Sequence, residues 1–195
     1  MPSSGAGVAS RMPSTPDAPH VAPLVAPHVA PLVAPLVASL VIGLIADTHG
    51  QLRADVHRAL AGVSFILHAG DVCGDDVLME LDLIAPTLAV YGNCDAVDHP
   101  RLVRQIERVE RGVRLHVSHG HELGAPTVDR LLNAYDADVI VYGHTHRPLI
   151  ARAGSRLVVN PGAAGQRRFD IVPTVGRLTI APDGAVDIAL VELAY

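Results

Sequence analysis

The sequence predicts a single α/β domain of mixed parallel and antiparallel strands, on three observations. First, short apolar runs end three times in a polar loop, and an amphipathic segment follows the first two of them, which is typical of parallel strands joined by helices. Second, the later part of the chain carries strand patterns separated by tight turns, which favour antiparallel pairing. Third, 157 residues remain after a proline-rich leader, enough for one hydrophobic core.

The leader before residue 39 is predicted to lie outside this domain. Its tetrapeptide repeat, of the type APLV, places proline at positions 19, 23, 27, 31 and 35. Proline removes a backbone donor and breaks helices, so neither a membrane-spanning helix nor an ordinary secretory signal fits this segment. We therefore predict that residues 1–38 form a low-complexity, polyproline-like or disordered extension and that the protein has no membrane partner.

The first half of the domain alternates strands with helices. A β-branched run predicts the first strand, and apolar residues at helical spacing after it predict an amphipathic helix. Pro86 is expected to stop the second helix. The predicted order is a strand over 40–46, a helix over 51–61, a strand over 64–68, a helix over 75–85 and a strand over 87–91.

The second half has a looser pattern. Two strands are predicted around the Arg111-Gly112 turn, and a terminal hairpin is predicted around Pro182-Asp183-Gly184. The predicted order is strands over 102–109 and 113–118, a helix over 126–137, and strands over 138–142, 149–153 and 156–160 before that hairpin.

Composition narrows the class of function. The formal net charge of −5, the absence of Trp and the scarcity of aromatic residues argue against an extended nucleic-acid surface. The two cysteines form no close CxxC pair, which is typical of a reducing compartment, so we expect a cytoplasmic protein. Nine of the eleven histidines lie within the predicted domain, and several of them are clustered.

Seven oxygen or imidazole donors fall at or near the ends of predicted strands. In an open α/β sheet the loops at the carboxyl ends of the strands lie at one edge, where ligands bind. Residues two apart on an extended chain point the same way, so the pair in DTH and the pair in HTH can each converge on one spot. Such donors without thiolate suit Mn, Fe, Zn or Ni, and their number favours two ions that share a carboxylate. The donors are Asp47, His49, Asp71, Asn93, His119, His144 and His146.

Five ordered motifs carry a resemblance to a known family, and a sixth segment supports it. The series resembles the calcineurin-like metallophosphoesterases, and most of all their compact YfcE-type phosphodiesterase branch, over roughly residues 40–195. The leader has no counterpart there. The motifs are DTHG (47–50), GDVCGD (70–75), GNCD (92–95), SHGH (118–121) and GHTH (143–146), with NPGAAGQRR (160–168) as the sixth segment.

The resemblance implies a fold, a cofactor and a reaction. The fold would be two stacked mixed β-sheets flanked by helices, and the reaction would be hydrolysis of phosphodiesters, or of phosphomonoesters, by a hydroxide that bridges two divalent metal ions. Manganese is the first choice of metal, with Ni, Fe, Zn and Mg as alternatives. By the resemblance, one ion is held by Asp47, His49 and His146, the other by Asn93, His119 and His144, and Asp71 bridges them. Asp71, Asn93 and His119 are the predicted catalytic residues.

One position departs from the larger relatives, which have histidine where this chain has Cys94. The resemblance assigns that histidine to protonation of the leaving group, so its absence predicts faster hydrolysis of aryl than of alkyl esters. Other residues are predicted to support the loops or to touch the substrate: Asp95, His121, His68, Arg167 and Arg168. Cys73 is interpreted as a small buried side chain.

Two alternatives stay open beside the phosphodiesterase. One is a non-catalytic scaffold like the retromer subunit Vps29, which resembles this compact fold; the presence of all seven donors argues against it. The other is a nucleotide-specific phosphohydrolase of the same superfamily. The expected partner is a small phosphoester substrate, and a homodimer through the arginine-rich edge segment is an open possibility.

Overall fold

The structure, a computed structural model, describes residues 38–166 and 170–194. Within these ranges eleven strands form two sheets. They are β1 (Leu40–Ile45), β2 (Phe65–His68), β3 (Thr87–Val90), β4 (Leu102–Val103), β5 (Ile106–Glu110), β6 (Val113–Val117), β7 (Val139–Val141), β8 (Leu149–Ala153), β9 (Arg156–Asn160), β10 (Thr174–Ile180) and β11 (Val186–Glu192).

Both sheets are mixed. The first has the order β11-β10-β1-β2-β3-β4, in which β1 to β4 run parallel and the hairpin of β10 and β11 is antiparallel. The second has the order β5-β6-β7-β9-β8, with a parallel centre and antiparallel edges. Buried side chains from both sheets, such as Leu44 and Val159, pack into one cluster between them. The predicted pair of stacked mixed sheets is confirmed.

Three short helices cover the outer faces of the sheets. They are α1 (Asp55–Ala59), α2 (Asp75–Asp82) and α3 (Val128–Ala134). Helices α1 and α2 pack against the first sheet through residues such as Val56 and Leu78, and α3 packs against the second through Leu131. The order of layers is therefore helix, sheet, sheet, helix.

All three helices are shorter than predicted. The chain turns first at residues 48–51, where the amide of Gln51 donates to the Thr48 carbonyl at 3.0 Å, so α1 starts four residues late. Thr127 caps α3 by accepting from the amide of Arg130 at 3.4 Å, and at Tyr135 the backbone is already extended. Apolar periodicity shows which face is buried, but local turns decide where each helix begins and ends.

The predicted strand over 102–109 is wrong, because the chain crosses there from one sheet to the other. Val103 pairs with Val90 in the first sheet, whereas Ile106 pairs with Val117 in the second. Each of the two strands buries an apolar side chain, Leu102 in one cluster and Ile106 in the other. Apolar residues therefore occur on both sides of Arg104-Gln105, and the sequence does not show that the strand ends there.

The other predicted strands and the terminal hairpin match the structure within about a residue at most ends. In the described ranges, no helix has the length and apolar character needed to cross a bilayer. Residues 1–37 lie outside the described ranges, so the boundary at residue 39 stays a prediction.

Candidate metal centre

The seven predicted donors meet at one edge of the stacked sheets. Each comes from a loop that follows a strand: β1, β2 and β3 of the first sheet, and β6 and β7 of the second. Direct contacts join the loops, since the amide of Asp47 donates to the Gly70 carbonyl at 3.0 Å and that of Gly143 to the His119 carbonyl at 3.1 Å. We call the seven side chains the donor cluster: Asp47, His49, Asp71, Asn93, His119, His144 and His146.

Most of these residues have an unusual backbone conformation. In the described ranges, all but one of the non-glycine residues with positive φ lie in the loops of the donor cluster. The exception is Arg111, and the others are Asp47, His49, Asp71, Cys73, His144 and His146. The prediction of extended DTH and HTH segments is therefore wrong, although the side chains do converge. A left-handed conformation costs free energy, and such strain concentrates at functional sites.

One group of donors consists of Asp47, His49, Asp71 and His146. One ligand atom from each lies within 4.8 Å of all the others. His49 Nε2 is 3.2 Å from His146 Nε2, and His146 Nε2 is 3.4 Å from Asp47 Oδ1. Both carboxylates are buried, at 0% and 2% exposed, while the two imidazoles are partly exposed.

The other group consists of Asn93, His119 and His144. The Asn93 Oδ1 atom lies 3.2 Å from His119 Nε2 and 3.0 Å from His144 Nδ1. The Nδ1 atom of His119 is 2.8 Å from the Ala69 carbonyl, to which it can only donate. This contact fixes the tautomer and leaves the lone pair of His119 Nε2 directed at the cluster.

Asp71 lies between the two groups. Its Oδ2 atom is 3.7 Å from His49 Nε2 and 3.4 Å from His119 Nε2. Burial raises the pKa of Asp71, but its contact with His119 and the hydrogen bond from the Cys94 amide lower the pKa by a larger amount, so it lies well below its usual range. Burial lowers the pKa of His119, yet its contacts with Asp71 and the charge of Asp47 raise it overall. Asp71 is thus an anion at neutral pH, in a position to be shared.

Two glycines make room for these side chains. A Cβ atom at Gly92 would collide with the Asp71 carboxylate and with its backbone nitrogen. A Cβ atom at Gly70 would lie 2.6 Å from His119 Nδ1, and Gly70 also has φ +89°. The glycines that open the motifs GD and GN are therefore required by the packing of the donors themselves.

Asp95 ties the second and third loops together. Its carboxylate accepts from the amides of Cys73 at 2.7 Å, Gly92 at 2.8 Å and Val72 at 3.1 Å. Of the two roles predicted for Asp95, these contacts favour loop support over chemistry.

His68 supports the first loop from beneath. It is fully buried, and its Nε2 atom is 3.0 Å from the Thr48 hydroxyl. That hydroxyl donates to the carbonyls of Val72 at 3.2 Å and Asp71 at 3.4 Å, so the ring of His68 donates to its oxygen. Burial lowers the pKa of His68 to about 4. A neutral histidine thus fixes the residue between Asp47 and His49.

Sequence reasoning named no role for Asn160, which supports the last loop. Its buried amide donates to the Gly143 carbonyl at 2.8 Å and to Thr145 Oγ1 at 3.0 Å, and its oxygen accepts from the amide of Gly162 at 2.8 Å. The NPG segment that contains Asn160 stands at the end of a predicted strand. The sequence around it does not show, however, that its side chain contacts a loop fifteen residues earlier in the chain.

The remaining predicted residues have mixed outcomes. Cys94 is exposed, and its sulfur accepts from the Asn93 side chain at 3.4 Å. The ring of His121 lies 5.3 Å from that of His119 and 6.3 Å from that of His144, between centroids. Cys73 is exposed, so its interpretation as a buried residue is wrong. Arg167 and Arg168 lie outside the described residues.

The donors fit divalent metal ions. Ligand atoms about 2.1 Å from one ion lie about 3 Å or slightly more from each other. The short contacts among these donors, between 3.0 and 3.7 Å, are close to that spacing. Carboxylate, amide oxygen and imidazole are also the donors that Mn, Fe, Ni and Zn accept.

Comparison with known proteins identifies the family. The model of the calcineurin-like phosphoesterase superfamily domain matches residues 40–183. The chain belongs to this superfamily. The match includes the whole donor cluster and excludes the proline-rich leader.

Among relatives within the superfamily, a probable metallophosphoesterase of Methanothermobacter thermautotrophicus is 36% identical over 130 residues, which are 64% of this chain and 69% of that protein. The phosphodiesterase YfcE of Escherichia coli is 38% identical over 82 residues, which are 39% of this chain and 43% of YfcE. Vps29 of Cryptosporidium parvum has a TM-score of 0.67 at 20% identity, covering 80% of this chain and 99% of Vps29. That structural likeness concerns the fold alone.

Proposed function

We propose that this protein hydrolyses small phosphodiesters with two divalent metal ions held by the donor cluster. The observation that carries the proposal is the position of Asp71 between two groups of donors, 3.7 Å from His49 and 3.4 Å from His119. A pair of divalent ions would activate a water molecule and neutralise charge on the phosphoryl oxygens. Manganese is the first choice, and Ni, Fe, Zn and Mg are the alternatives.

The residues of the chain hold and orient this centre. Asp47, His49 and His146 are assigned to one ion, and Asn93, His119 and His144 to the other. Asp71 is shared between them, and its low pKa keeps it ionised without a proton to lose. The Ala69 carbonyl keeps His119 in the tautomer that a ligand needs.

A diester is proposed over a monoester because two cavities are lined by residues from the loops that carry the donor cluster. One, of about 350 Å³, is lined by Cys73, Cys94 and Leu78 among others. Another, of about 330 Å³, is lined by Pro126, Thr127 and His144 among others. A phosphodiester has two substituents, so each cavity can take one, whereas a monoester would need only one cavity.

The test is metal-dependent hydrolysis by the full chain. Protein stripped with a chelator and reloaded with Mn, Ni, Fe, Zn or Mg should bind close to two ions and cleave an aryl phosphodiester. Asp71→Asn and His119→Gln should each lower kcat/KM at least about 1000-fold, since metal-centred charge stabilisation is worth several kcal/mol. His57→Gln is the matched control, because His57 is an exposed histidine paired with Glu80 at 2.8 Å.

Two results would overturn the proposal: full activity in the stripped protein, or full activity in Asp71→Asn. Two bound ions without hydrolysis of any phosphoester would favour the scaffold alternative instead. Hydrolysis confined to nucleotides in a substrate panel would favour the nucleotide-specific alternative and would keep the same metal centre.

A further inference from the structure

The two cysteines of the chain meet beside the donor cluster. Although 21 residues apart, Cys73 and Cys94 place their sulfur atoms within 4.8 Å of each other and of a ring nitrogen of His49. Both residues are exposed, on the loops that also carry Asp71 and Asn93. The Sγ atom of Cys73 is 3.8 Å from Nδ1 of His49.

From this cluster we infer a third metal site, selective for a thiophilic ion such as zinc or cadmium, formed by Cys73, Cys94 and His49. Ligands about 2.3 Å from a tetrahedral ion lie about 3.7 Å apart. The contact of Cys73 with His49 already has this length, and the remaining separations need to close by about 1 Å or less. Solvent supplies the fourth ligand, because both cysteines are exposed.

The positions of the two thiols are fixed by the backbone. The Asp95 carboxylate accepts from the amide of Cys73 at 2.7 Å and from that of Gly92 at 2.8 Å, which joins the two cysteine-bearing loops. Cys73 itself has φ +58°, a conformation that is rare for a residue with a side chain. The sulfurs therefore meet because the loops are tied together, which lowers the ordering cost of binding an ion.

Ligand chemistry separates this site from the donor cluster. Thiolates bind zinc and cadmium in preference to manganese or magnesium, which prefer oxygen. When an ion binds, each thiol loses its proton to solvent, so one divalent ion displaces two protons and no oxidation occurs.

Because His49 belongs to both sites, an ion at the third site inhibits hydrolysis at the donor cluster. The Nδ1 atom of His49 faces Cys73, while its Nε2 atom faces His146 at 3.2 Å and Asp71 at 3.7 Å. A neutral imidazole has one lone pair, so His49 cannot serve the thiophilic ion and the donor cluster together. An ion at the thiols therefore competes for His49, and the two cysteines that bind it also line one of the cavities proposed for the substrate. The inhibition, though not the binding, rests on the proposed function.

The experiment titrates cadmium into the fully reduced, manganese-loaded full chain. The ultraviolet sulfur-to-cadmium charge-transfer band reports binding, and hydrolysis of an aryl phosphodiester reports inhibition. We expect the band to saturate at one cadmium per chain as activity falls. Cys73→Ser and Cys94→Ser should each weaken cadmium binding at least about 10-fold. Loss of a residue that only orients a metal ligand already lowers metal affinity by that factor. His57→Gln, which changes an exposed histidine paired with Glu80 that does not line this cavity, should leave the titration unchanged.

Absence of the band at excess cadmium would overturn the site, and so would an undiminished band in the double variant Cys73→Ser, Cys94→Ser. Inhibition without the band would mean that cadmium acts at the donor cluster, which also contradicts the site. Because the band is read without turnover, it tests the third site even if the protein hydrolyses no phosphodiester.

Discussion

The side-chain amide of Asn93 donates to the sulfur of Cys94 at 3.4 Å. The same amide turns its oxygen toward His119 and His144, at 3.2 and 3.0 Å. An amide can bind a cation only through its oxygen, so the contact with sulfur selects the useful orientation. Cys94 thus has a structural role beside the donor cluster.

This contact predicts the effect of changing Cys94. Cys94→Ala removes the acceptor and should weaken binding of the second manganese ion about 10-fold, as expected for the loss of a partner that orients a ligand. Cys94→Ser keeps a hydrogen-bond acceptor at this position, so its manganese affinity should fall by less. Isothermal titration of the metal-free proteins measures both affinities. Equal losses in the two variants would show that the hydrogen bond to Asn93 has no such role.

Gly92 offers a second test, which depends only on the space that a side chain at this position would occupy. Gly92→Ala puts a methyl group against the Asp71 carboxylate, so the carboxylate must move and manganese affinity should fall at least about 10-fold. Gly74→Ala is the matched control: its backbone is extended at φ 172°, and its new Cβ atom would find its nearest neighbour at 3.7 Å. Metal content per chain after dialysis separates the two variants. Wild-type content in Gly92→Ala would contradict the assignment of Asp71.

The sequence was informative where a motif is local and less so where partners are remote. Each donor follows a recognisable strand, so the seven residues and the edge where they meet could be predicted. The break after Val103 could not, because it depends on pairing with Val90 and then, for Ile106, with Val117. The exposure of Cys73 was missed for a similar reason, since Asp95, 22 residues away, sets the loop conformation.

Burial of His68 predicts a pH dependence of stability. Its pKa is about 4 in the folded protein and about 6.5 when unfolded, so the unfolded chain takes up a proton first as the pH falls. The stability that depends on neutral His68 is complete above pH 6.5 and is lost as the pH falls from about 6.5 toward 4. Between pH 7.5 and 5 this amounts to about 2 kcal/mol.

Urea unfolding of the metal-free protein at these two pH values measures that loss. His68→Gln keeps a donor for Thr48 but does not titrate, so its stability should fall by about 2 kcal/mol less than that of wild type over the same interval. Other titrating groups contribute alike to both proteins. The same loss of stability in both proteins would show that His68 takes up its proton as readily in the folded state as in the unfolded state.

A cysteine at position 94, in place of a histidine that could donate a proton, predicts a dependence of the rate on the leaving group. Burial and the charge of Asp71 raise the pKa of the Cys94 thiol, which makes it a poor proton donor to an alkoxide. Aryl phosphodiesters, whose leaving groups need little protonation, should therefore react at least about 100-fold faster than alkyl ones. Single-turnover kinetics across a series of leaving groups measures this effect on the chemical step. Equal rates would mean that another residue protonates the leaving group efficiently.

The boundary near residue 39 is open to a direct test by truncation. In the described part of the chain, β1 begins at Leu40, which pairs with Ile180, and the fully buried core begins at Ile42. A chain that starts at Ser39 loses the contact of the Arg111 guanidinium with the Ala38 carbonyl, an exposed hydrogen bond worth about 1 kcal/mol. It should keep its fold, metal content and activity.

A second truncation, which starts at Gly43, is the control for that boundary. It removes half of a central strand and the buried side chain of Ile42, which alone is worth a few kcal/mol, so it should not fold. Thermal unfolding followed by circular dichroism distinguishes the two proteins. If the chain starting at Ser39 also lost its cooperative transition, residues before 39 would have to pack into the domain, and the predicted boundary would be wrong.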